Sequence, residues 1–119
     1  MPIYAIALKV QEDATAAWRH QAALQAIRAN ARFCWDEAAS LVLIESGQPS
    51  SREVAAGVLD EASLSGSKDV MVVINLDSGD HFILGHLTEA GALEALLRRL
   101  GHRADPVPGE ERALPSALR

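Results

Sequence analysis

The densest group of side chains that could do chemistry lies in one short polar stretch, residues 77–86. It contains Asp77, Asp80, His81 and His86. Two carboxylates beside an imidazole can bind a metal ion or transfer protons, because aspartate offers hard oxygen ligands and histidine titrates near neutral pH. Asp77 and Asp80 are also residues that a solvent-exposed turn selects. We therefore keep Asp77, Asp80 and His81 as candidate metal ligands, with a structural turn as the competing interpretation.

Two further side chains stand apart from that stretch. His20 falls on the apolar face of a predicted helix, so it is interpreted as a core histidine or as the polar contact of a ligand. Cys34 is the single cysteine, so an internal disulfide and a cysteine-based zinc site are excluded. The sequence contains no phosphate-loop, dinucleotide or serine-hydrolase motif. We expect a protein that is not an enzyme and holds no cofactor.

The composition is typical of one globular domain with an acidic surface. The chain has 119 residues, of which 49% are hydrophobic and 23% are charged, and a chain of that length can bury one core. Its formal net charge of -5 repels polyphosphates, so we predict no nucleic-acid partner. No apolar run reaches the ~18 residues that cross a bilayer, and the N-terminus lacks a secretion signal. We expect a cytoplasmic protein that does not enter membranes.

The elements that must position these residues follow from the apolar periodicity. The order is βαββαβ followed by a short strand and a C-terminal helix, which is the split-βαβ topology. The predicted fold class is therefore α+β, a ferredoxin-like sandwich with two helices on one face of an antiparallel sheet. Residues 1–101 are predicted to form this single domain, and residues 102–119 a mobile tail rich in proline and charge. The strands are predicted at residues 3–8, 32–36, 40–44, 70–74 and 81–84, and the helices at about 14–29, after Ser50, and between Thr88 and Gly101.

The other face of this sheet needs a cover. An exposed face alternates apolar and polar residues, but the third and fourth strands are apolar at every position. We predict that Val42, Ile44, Met71 and Val73 lie in an interface with a second subunit, packed sheet on sheet about a two-fold axis. Trp18, placed opposite the core side of the first helix, is predicted to join a contact surface as well, or else to fold over the N-terminus of its own helix. The last helix folding back is the alternative cover.

Three apolar runs resemble a known group of proteins. They are residues 1–6 (MPIYAI), 40–46 (SLVLIES) and 69–74 (DVMVVI). In that order they are similar to the small ferredoxin-like proteins grouped with the CRISPR adaptation subunit, VapD-type toxins and SinR-like proteins, over about residues 1–85. The resemblance implies a homodimer. It also implies, for some members, a metal-dependent nuclease with an aspartate at the end of the first strand.

The chain departs from that group at the nuclease position. The sequence there reads Leu8-Lys9-Val10, and a divalent metal needs hard oxygen ligands. Our leading prediction is therefore a homodimeric accessory or regulatory protein that acts through protein partners. One alternative is a divalent-metal-dependent nuclease in which another carboxylate replaces the aspartate, and a second is a regulatory domain that binds a small ligand through a histidine. The replacement carboxylates would be Glu12, Asp13 or Asp36, and the ligand-binding histidine His20 or His81.

Overall fold

A computed structural model describes residues 1–38, 40–62 and 64–99 of the chain. The predicted tail, residues 102–119, lies outside these ranges. The described part is an α+β structure of five strands and three helices, as predicted from the periodicity. The elements are β1 (Ile3–Lys9), α1 (Ala16–Ala29), β2 (Phe33–Ala38), β3 (Leu41–Glu45), α2 (Ser51–Glu61), β4 (Val70–Asn75), β5 (His81–Leu84) and α3 (Ala90–Arg98).

The five strands form one sheet in the order β2-β3-β1-β4-β5. Each strand pairs antiparallel with its neighbour. The short strand β5 was predicted from the run after the Gly79 turn. It pairs with β4 at the edge of the sheet, so the order contains a fifth strand that the four-stranded ferredoxin-like sheet lacks. The pairing of β2 with β3 shifts register between Trp35 and Ala38, which is a bulge in the edge strand.

Helices α1 and α2 cover one face of the sheet. Their apolar side chains and alternate residues of β1, β3 and β4 are buried together, with Tyr4, Ile6 and Ile27 at 0% exposure. Such side chains contribute about 1.5 to 3 kcal/mol each when fully buried. The whole core consists of Tyr4, Ile6, Leu8, Ala23, Leu24, Ala26, Ile27, Val42, Ile44, Val54, Ala55, Val58, Met71 and Val73.

The predicted interface positions on β3 and β4 need correction. Val42, Ile44, Met71 and Val73 are at most 2% exposed and belong to the core beneath the helices, so a second subunit cannot reach them. Successive strand residues alternate between faces, and a register error of one residue exchanges the two sets. Because both sets are apolar in β3 and β4, the sequence pattern could not indicate which set faces the helices.

The helix starts follow from local hydrogen bonds. Ser50 caps α2, and its Oγ accepts a hydrogen bond from Glu53 N at 3.2 Å, which confirms the predicted N-terminus. Helix α1 begins at Ala16 and not at Ala14, because Asp13 Oδ1 first accepts the backbone N–H of Thr15 at 2.8 Å. Within the described ranges, no helix has the length and apolar character needed to cross a membrane.

Candidate interaction surface and polar clusters

The sheet face opposite α1 and α2, here called the open face, is formed by the alternate residues of each strand. Cross-strand partners project to the same side of a sheet. The register therefore places Trp35 beside Leu43, Leu43 beside Ala5, and Ala5 beside Ile74. One row of side chains across four strands is thus entirely apolar.

The neighbouring rows of the open face are mostly apolar as well. On one side, Glu45 lies between Phe33 and Ile3. On the other side, Leu41 lies beside Ala7. Among the paired strand residues, the charged side chains on this face are Glu45, near one end of β3, and Lys9, at the end of β1, so the middle of the face offers apolar contact alone.

The open face carries most of the exposed large hydrophobic side chains. The register continues past β4, because the backbone N–H of Leu76 donates to Ile3 O at 2.9 Å. Of the eight large hydrophobic side chains found exposed in the described ranges, five lie on this face. Solvent-exposed apolar groups gathered in one patch are typical of interaction sites. The five residues are Phe33 (68% exposed), Trp35 (44%), Leu76 (41%), Leu41 (40%) and Ile3 (37%).

Exposure is uneven across the open face. Its β4 side is already shielded, since Val72 is only 7% exposed and Ala5 of the adjoining β1 only 9%. Leu97 of α3 is 6% exposed and, like Val72 and Ala5, it is buried outside the main core. The side formed by β2 and β3, with Phe33 and Trp35, is the part that stays accessible.

Trp18 lies on the other side of the molecule. It is 62% exposed on α1, so it points away from the core as the helical period predicts. Because α1 covers the face opposite the open face, a single sheet-on-sheet contact cannot include Trp18. Its role in a contact surface stays a prediction.

A buried ion pair joins the first turn of α1 to the segment before β4, at one end of the sheet. The Arg19 guanidinium binds the Asp69 carboxylate, and both side chains are almost fully buried, at 7% and 0% exposure. Arg19 Nη2 also donates to Gln11 O and to Asp13 Oδ2, both at 3.0 Å. Arg19 Nε donates to Thr15 Oγ1 at 3.0 Å. The cluster holds the β1–α1 loop against the segment before β4, so these charged groups stabilise the fold.

Asp69 is the anchor of that cluster. Its two oxygens accept the backbone N–H groups of Gln11 and Ser65, both at 3.0 Å. Burial raises the pKa of Asp69, but the hydrogen bonds from Arg19, Ser65 and Gln11 outweigh burial, so the pKa lies below its ordinary value. Gly85, with φ of 96°, lies so close to Asp69 O that a Cβ would overlap it. A side chain at position 85 would therefore disturb the loop that holds Asp69.

The candidate metal ligands of the turn after β4 have structural partners. Asp80 Oδ2 accepts hydrogen bonds from Ser51 N at 2.8 Å and from Ser51 Oγ at 2.7 Å. These two bonds lower the pKa of Asp80, and they tie the turn to the N-terminus of α2, where a carboxylate is favoured. His81 Nδ1 lies 3.1 Å from Gly79 O, and Asp77 N donates to Asn75 Oδ1 at 2.9 Å. These contacts favour the turn interpretation of Asp77, Asp80 and His81.

Two of the three carboxylates considered for a nuclease, Asp13 and Asp36, are engaged with arginine, while Glu12 is exposed. The backbone N–H and hydroxyl of Thr15 and the Arg19 guanidinium lower the pKa of Asp13 to about 2. Asp36 accepts from Arg28 Nε at 2.6 Å. Each of these two carboxylates is already paired with a guanidinium, which balances its charge and weakens its attraction for a divalent cation. Among the described residues, no group of three histidine, cysteine, aspartate or glutamate side chains could hold a metal ion.

His20 and Cys34 do not form a reactive site with these clusters. His20 is half-buried on α1, and the neighbouring Arg19 takes the buried position that the helical wheel assigned to His20. Cys34 is exposed on the edge strand β2. Partial burial and the nearby Asp36 carboxylate raise the pKa of the Cys34 thiol, which keeps it protonated and weakly nucleophilic.

Sequence reasoning missed the Arg19–Asp69 pair, and it anticipated an uncovered apolar sheet face but assigned the wrong residues of β3 and β4 to it. Arg19 and Asp69 are separated by 50 positions, and no local pattern links them. Phe33 and Trp35 did carry a signal, since they alternate with Arg32, Cys34 and Asp36 and therefore share one face of a strand. That alternation predicts a common side but not which side.

Comparison of the chain with protein-family models, with curated proteins and with solved structures found no match.

Proposed function

We propose that this protein is a non-enzymatic accessory or regulatory protein that acts through protein contacts, and that its open face binds a second copy of the chain. The observation that carries the proposal is the exposed apolar patch of Phe33, Trp35, Leu41, Ile3 and Leu76 on a single sheet face. Apolar surface of this kind gains free energy when another surface removes it from water. A second copy always supplies a patch of the same chemistry.

The exposed apolar area of the open face is large enough for an interface with one second copy. With about 200 Å² for a large apolar side chain, the exposed fractions of the five residues amount to roughly 450 Å² per copy. Two copies would then bury about 900 Å² from these side chains, near the lower end of specific interfaces once a polar rim is added. We therefore expect a dimer of modest affinity that dissociates on dilution.

The finer fold assignment is part of the same proposal. Strands β2, β3, β1 and β4 lie in the order that a split-βαβ arrangement requires, and α1 and α2 cover the same face. Both features support a ferredoxin-like arrangement extended by β5. Sheet-on-sheet packing then buries the face that two helices leave uncovered.

The nuclease and ligand-binding alternatives lack a comparable observation. Asp13 and Asp36 are each held by an arginine, and Asp77, Asp80 and His81 form the contacts of a turn. The resemblance of three apolar runs to the CRISPR-associated and VapD-type group separately favours a homodimer. We retain the homodimer and not the nuclease activity as part of the proposal.

The test replaces one exposed tryptophan at a time. Trp35→Glu places a charge in the middle of the open face, and we expect it to weaken the dimer at least about tenfold, since buried tryptophans are frequent hot spots. Trp18→Glu is the matched control, because Trp18 is exposed on α1 outside the open face. Native mass spectrometry and sedimentation velocity over a dilution series would measure the dissociation constant of each variant.

The two variants separate the possible outcomes. Loss of the dimer in Trp35→Glu with retention in Trp18→Glu supports the proposal. A monomeric wild-type protein at the highest concentration, or a dimer that only Trp18→Glu disrupts, would contradict it. Circular dichroism of each variant would establish that the fold is unchanged.

A further inference from the structure

Strand β2 lies at one edge of the sheet and is its least buried strand. On the open face, Phe33 and Trp35 are 68% and 44% exposed. Cys34 pairs with the core residue Ile44 and so belongs to the covered face, yet it is exposed as well. The opposite edge strand, β5, is half-buried along its whole length. An apolar edge strand that is bare on both faces is a template for pairing with another strand.

We propose that the outer edge of β2 is a second contact between copies of this chain, in which two β2 strands pair antiparallel about a two-fold axis at Cys34. The two five-stranded sheets then join into one continuous sheet. The free backbone N–H and C=O groups of an edge strand lie in the plane of the sheet. A contact on the open face leaves these groups unpaired, so the edge contact goes beyond the open-face dimer and is compatible with it.

The register of this pairing follows from the side chains and from the bulge. A two-fold axis perpendicular to the sheet keeps both open faces on one side, so residues that lie opposite each other must belong to the same face. With the axis at Cys34, Phe33 of each copy lies opposite Trp35 of the other, and cross-strand aromatic pairs stabilise a sheet. An axis at Phe33 would leave Trp35 opposite Ala31. An axis at Trp35 would pair residues across the bulge that follows it.

The charges at the two ends of β2 complement each other in this arrangement. Arg32, whose side chain is 63% exposed, immediately precedes the strand, and Asp36 and Glu37 lie near its end. Antiparallel pairing about Cys34 brings Arg32 of each copy to the acidic end of the other, and opposite charges on adjacent strands stabilise their pairing. The bulge limits the paired stretch to residues 32–36, so we expect a short contact that covalent trapping detects best.

Disulfide trapping tests the position of the axis. Residues directly opposite each other on antiparallel strands have Cα atoms about 4.5 to 5.5 Å apart, a separation that a disulfide spans. Oxidation with copper(II)–phenanthroline should therefore link the two Cys34 sulfurs, as the thiols lose two protons to the buffer and two electrons to copper(II). Sheet-on-sheet packing alone keeps the two Cys34 thiols on the outer sides of the two sheets, so an open-face dimer does not form this bond.

The matched control moves the single thiol to another exposed position. The double variant Cys34→Ser with Gln25→Cys carries its thiol on α1, where Gln25 is exposed. The rate of cross-linking is measured on non-reducing gels and divided by each thiol's rate of reaction with iodoacetamide. We expect the wild-type chain to cross-link at least about tenfold faster than the control, because a paired edge raises the effective concentration of one thiol near the other. Equal rates would indicate random collision and would overturn the proposal.

Two substitutions separate the edge contact from the open-face contact. Cys34→Lys places two ammonium groups at the axis, and lysine on an edge strand opposes strand pairing; Cys34→Ser is its matched control. Leu41→Glu places a charge on the open face of β3, one strand in from the edge. In sedimentation velocity over a dilution series, we expect the wild-type chain and Cys34→Ser to form species larger than a dimer and Cys34→Lys to stop at the dimer. Leu41→Glu should still cross-link through Cys34.

The outcomes distinguish this inference from the proposed function. Cross-linking of Cys34 no faster than in the control, with a dimer that Leu41→Glu weakens, would overturn the edge contact and leave the open-face dimer standing. Species larger than a dimer that persist in Cys34→Lys would also overturn the edge contact. A dimer that Cys34→Lys disrupts and Leu41→Glu leaves intact would support the edge contact and contradict the open-face dimer.

Discussion

The two faces of the sheet are built from the same strands and differ in what covers them. On β3, Val42 and Ile44 are 0% and 2% exposed beneath α1 and α2, while Leu41 on the opposite face is 40% exposed. On β1, the side chains towards the helices are large, and those towards the open face at Ala5 and Ala7 are small. The covered face therefore stabilises the fold within one chain, whereas the open face has apolar surface that the described part of the chain leaves exposed.

This difference separates stability from association. A side chain that is removed from the covered face leaves a cavity, and the cost appears in folding. Removing a side chain from the open face should cost little in the monomer, and the cost would appear in the proposed dimer. Substitutions placed on the two faces should therefore change different measured quantities.

The largest expected effect comes from the buried ion pair at the end of the covered side. Asp69→Ala leaves the Arg19 guanidinium buried without its main partner, and we expect the free energy of unfolding to fall by about 3 to 5 kcal/mol. Urea denaturation followed by circular dichroism measures the loss. The matched control is Asp36→Ala, whose partner Arg28 is half exposed, with an expected loss below about 1 kcal/mol. Equal losses would show that the Arg19–Asp69 pair is not the anchor.

The next effect compares the two faces within one strand. Ile44→Ala empties a position in the core and should lower the free energy of unfolding by about 2 to 5 kcal/mol. Leu41→Ala, on the open face, should cost about 1 kcal/mol or less in the monomer, and it should weaken the dimer. Both are measured by urea denaturation, at a dilution where the wild type is monomeric. A similar unfolding cost for the two variants would mean that the open face is already packed within one chain.

The smallest effect is the pH dependence of the covered side. The pKa values of Asp13, Asp69 and Asp80 are lowered in the folded chain, to about 2 for Asp13. Carboxylates of this kind stabilise the fold above their unfolded pKa of about 4, and this contribution is lost as the pH falls through the folded values. We expect a constant urea midpoint from neutral pH down to about pH 5, then a decline towards pH 2. The decline should be shallower in Asp69→Asn, and an equal decline would contradict the role of Asp69.

Secondary structure was accessible from the sequence where periodicity and turn chemistry agree. The strand at residues 70–74 and the capping residue Ser50 were recognisable because β-branched residues favour strands and a serine hydroxyl satisfies a free N–H. The start of α1 was harder to predict, since Asp13 Oδ1 accepts both the backbone N–H and the hydroxyl of Thr15 before the helix begins. Such a local competition has no periodic signature.

The candidate metal site and the interaction surface were harder to predict from the sequence. Asp77, Asp80 and His81 have the composition of a metal site. Residue types alone do not show that Ser51, 29 positions away at the start of α2, donates two hydrogen bonds to Asp80. The open face was anticipated from the excess of apolar residues in β3 and β4, but with Val42, Ile44, Met71 and Val73 in place of Leu41, Leu43, Val72 and Ile74. Alternation fixes which residues share a face, and only packing against helices decides which face is covered.

The sequence by itself determined the strands, the helices, the α+β class and the surplus of apolar side chains beyond what two helices can cover. These properties depend on neighbouring residues and on periods of two and 3.6, which are local. Tertiary structure alone decided that Arg19 meets Asp69 across 50 positions, that Phe33 and Trp35 lie on the uncovered side, and that alanines lie beside them. Those facts depend on strand register and on the side that the helices take, and both are settled by long-range contacts that no local pattern specifies.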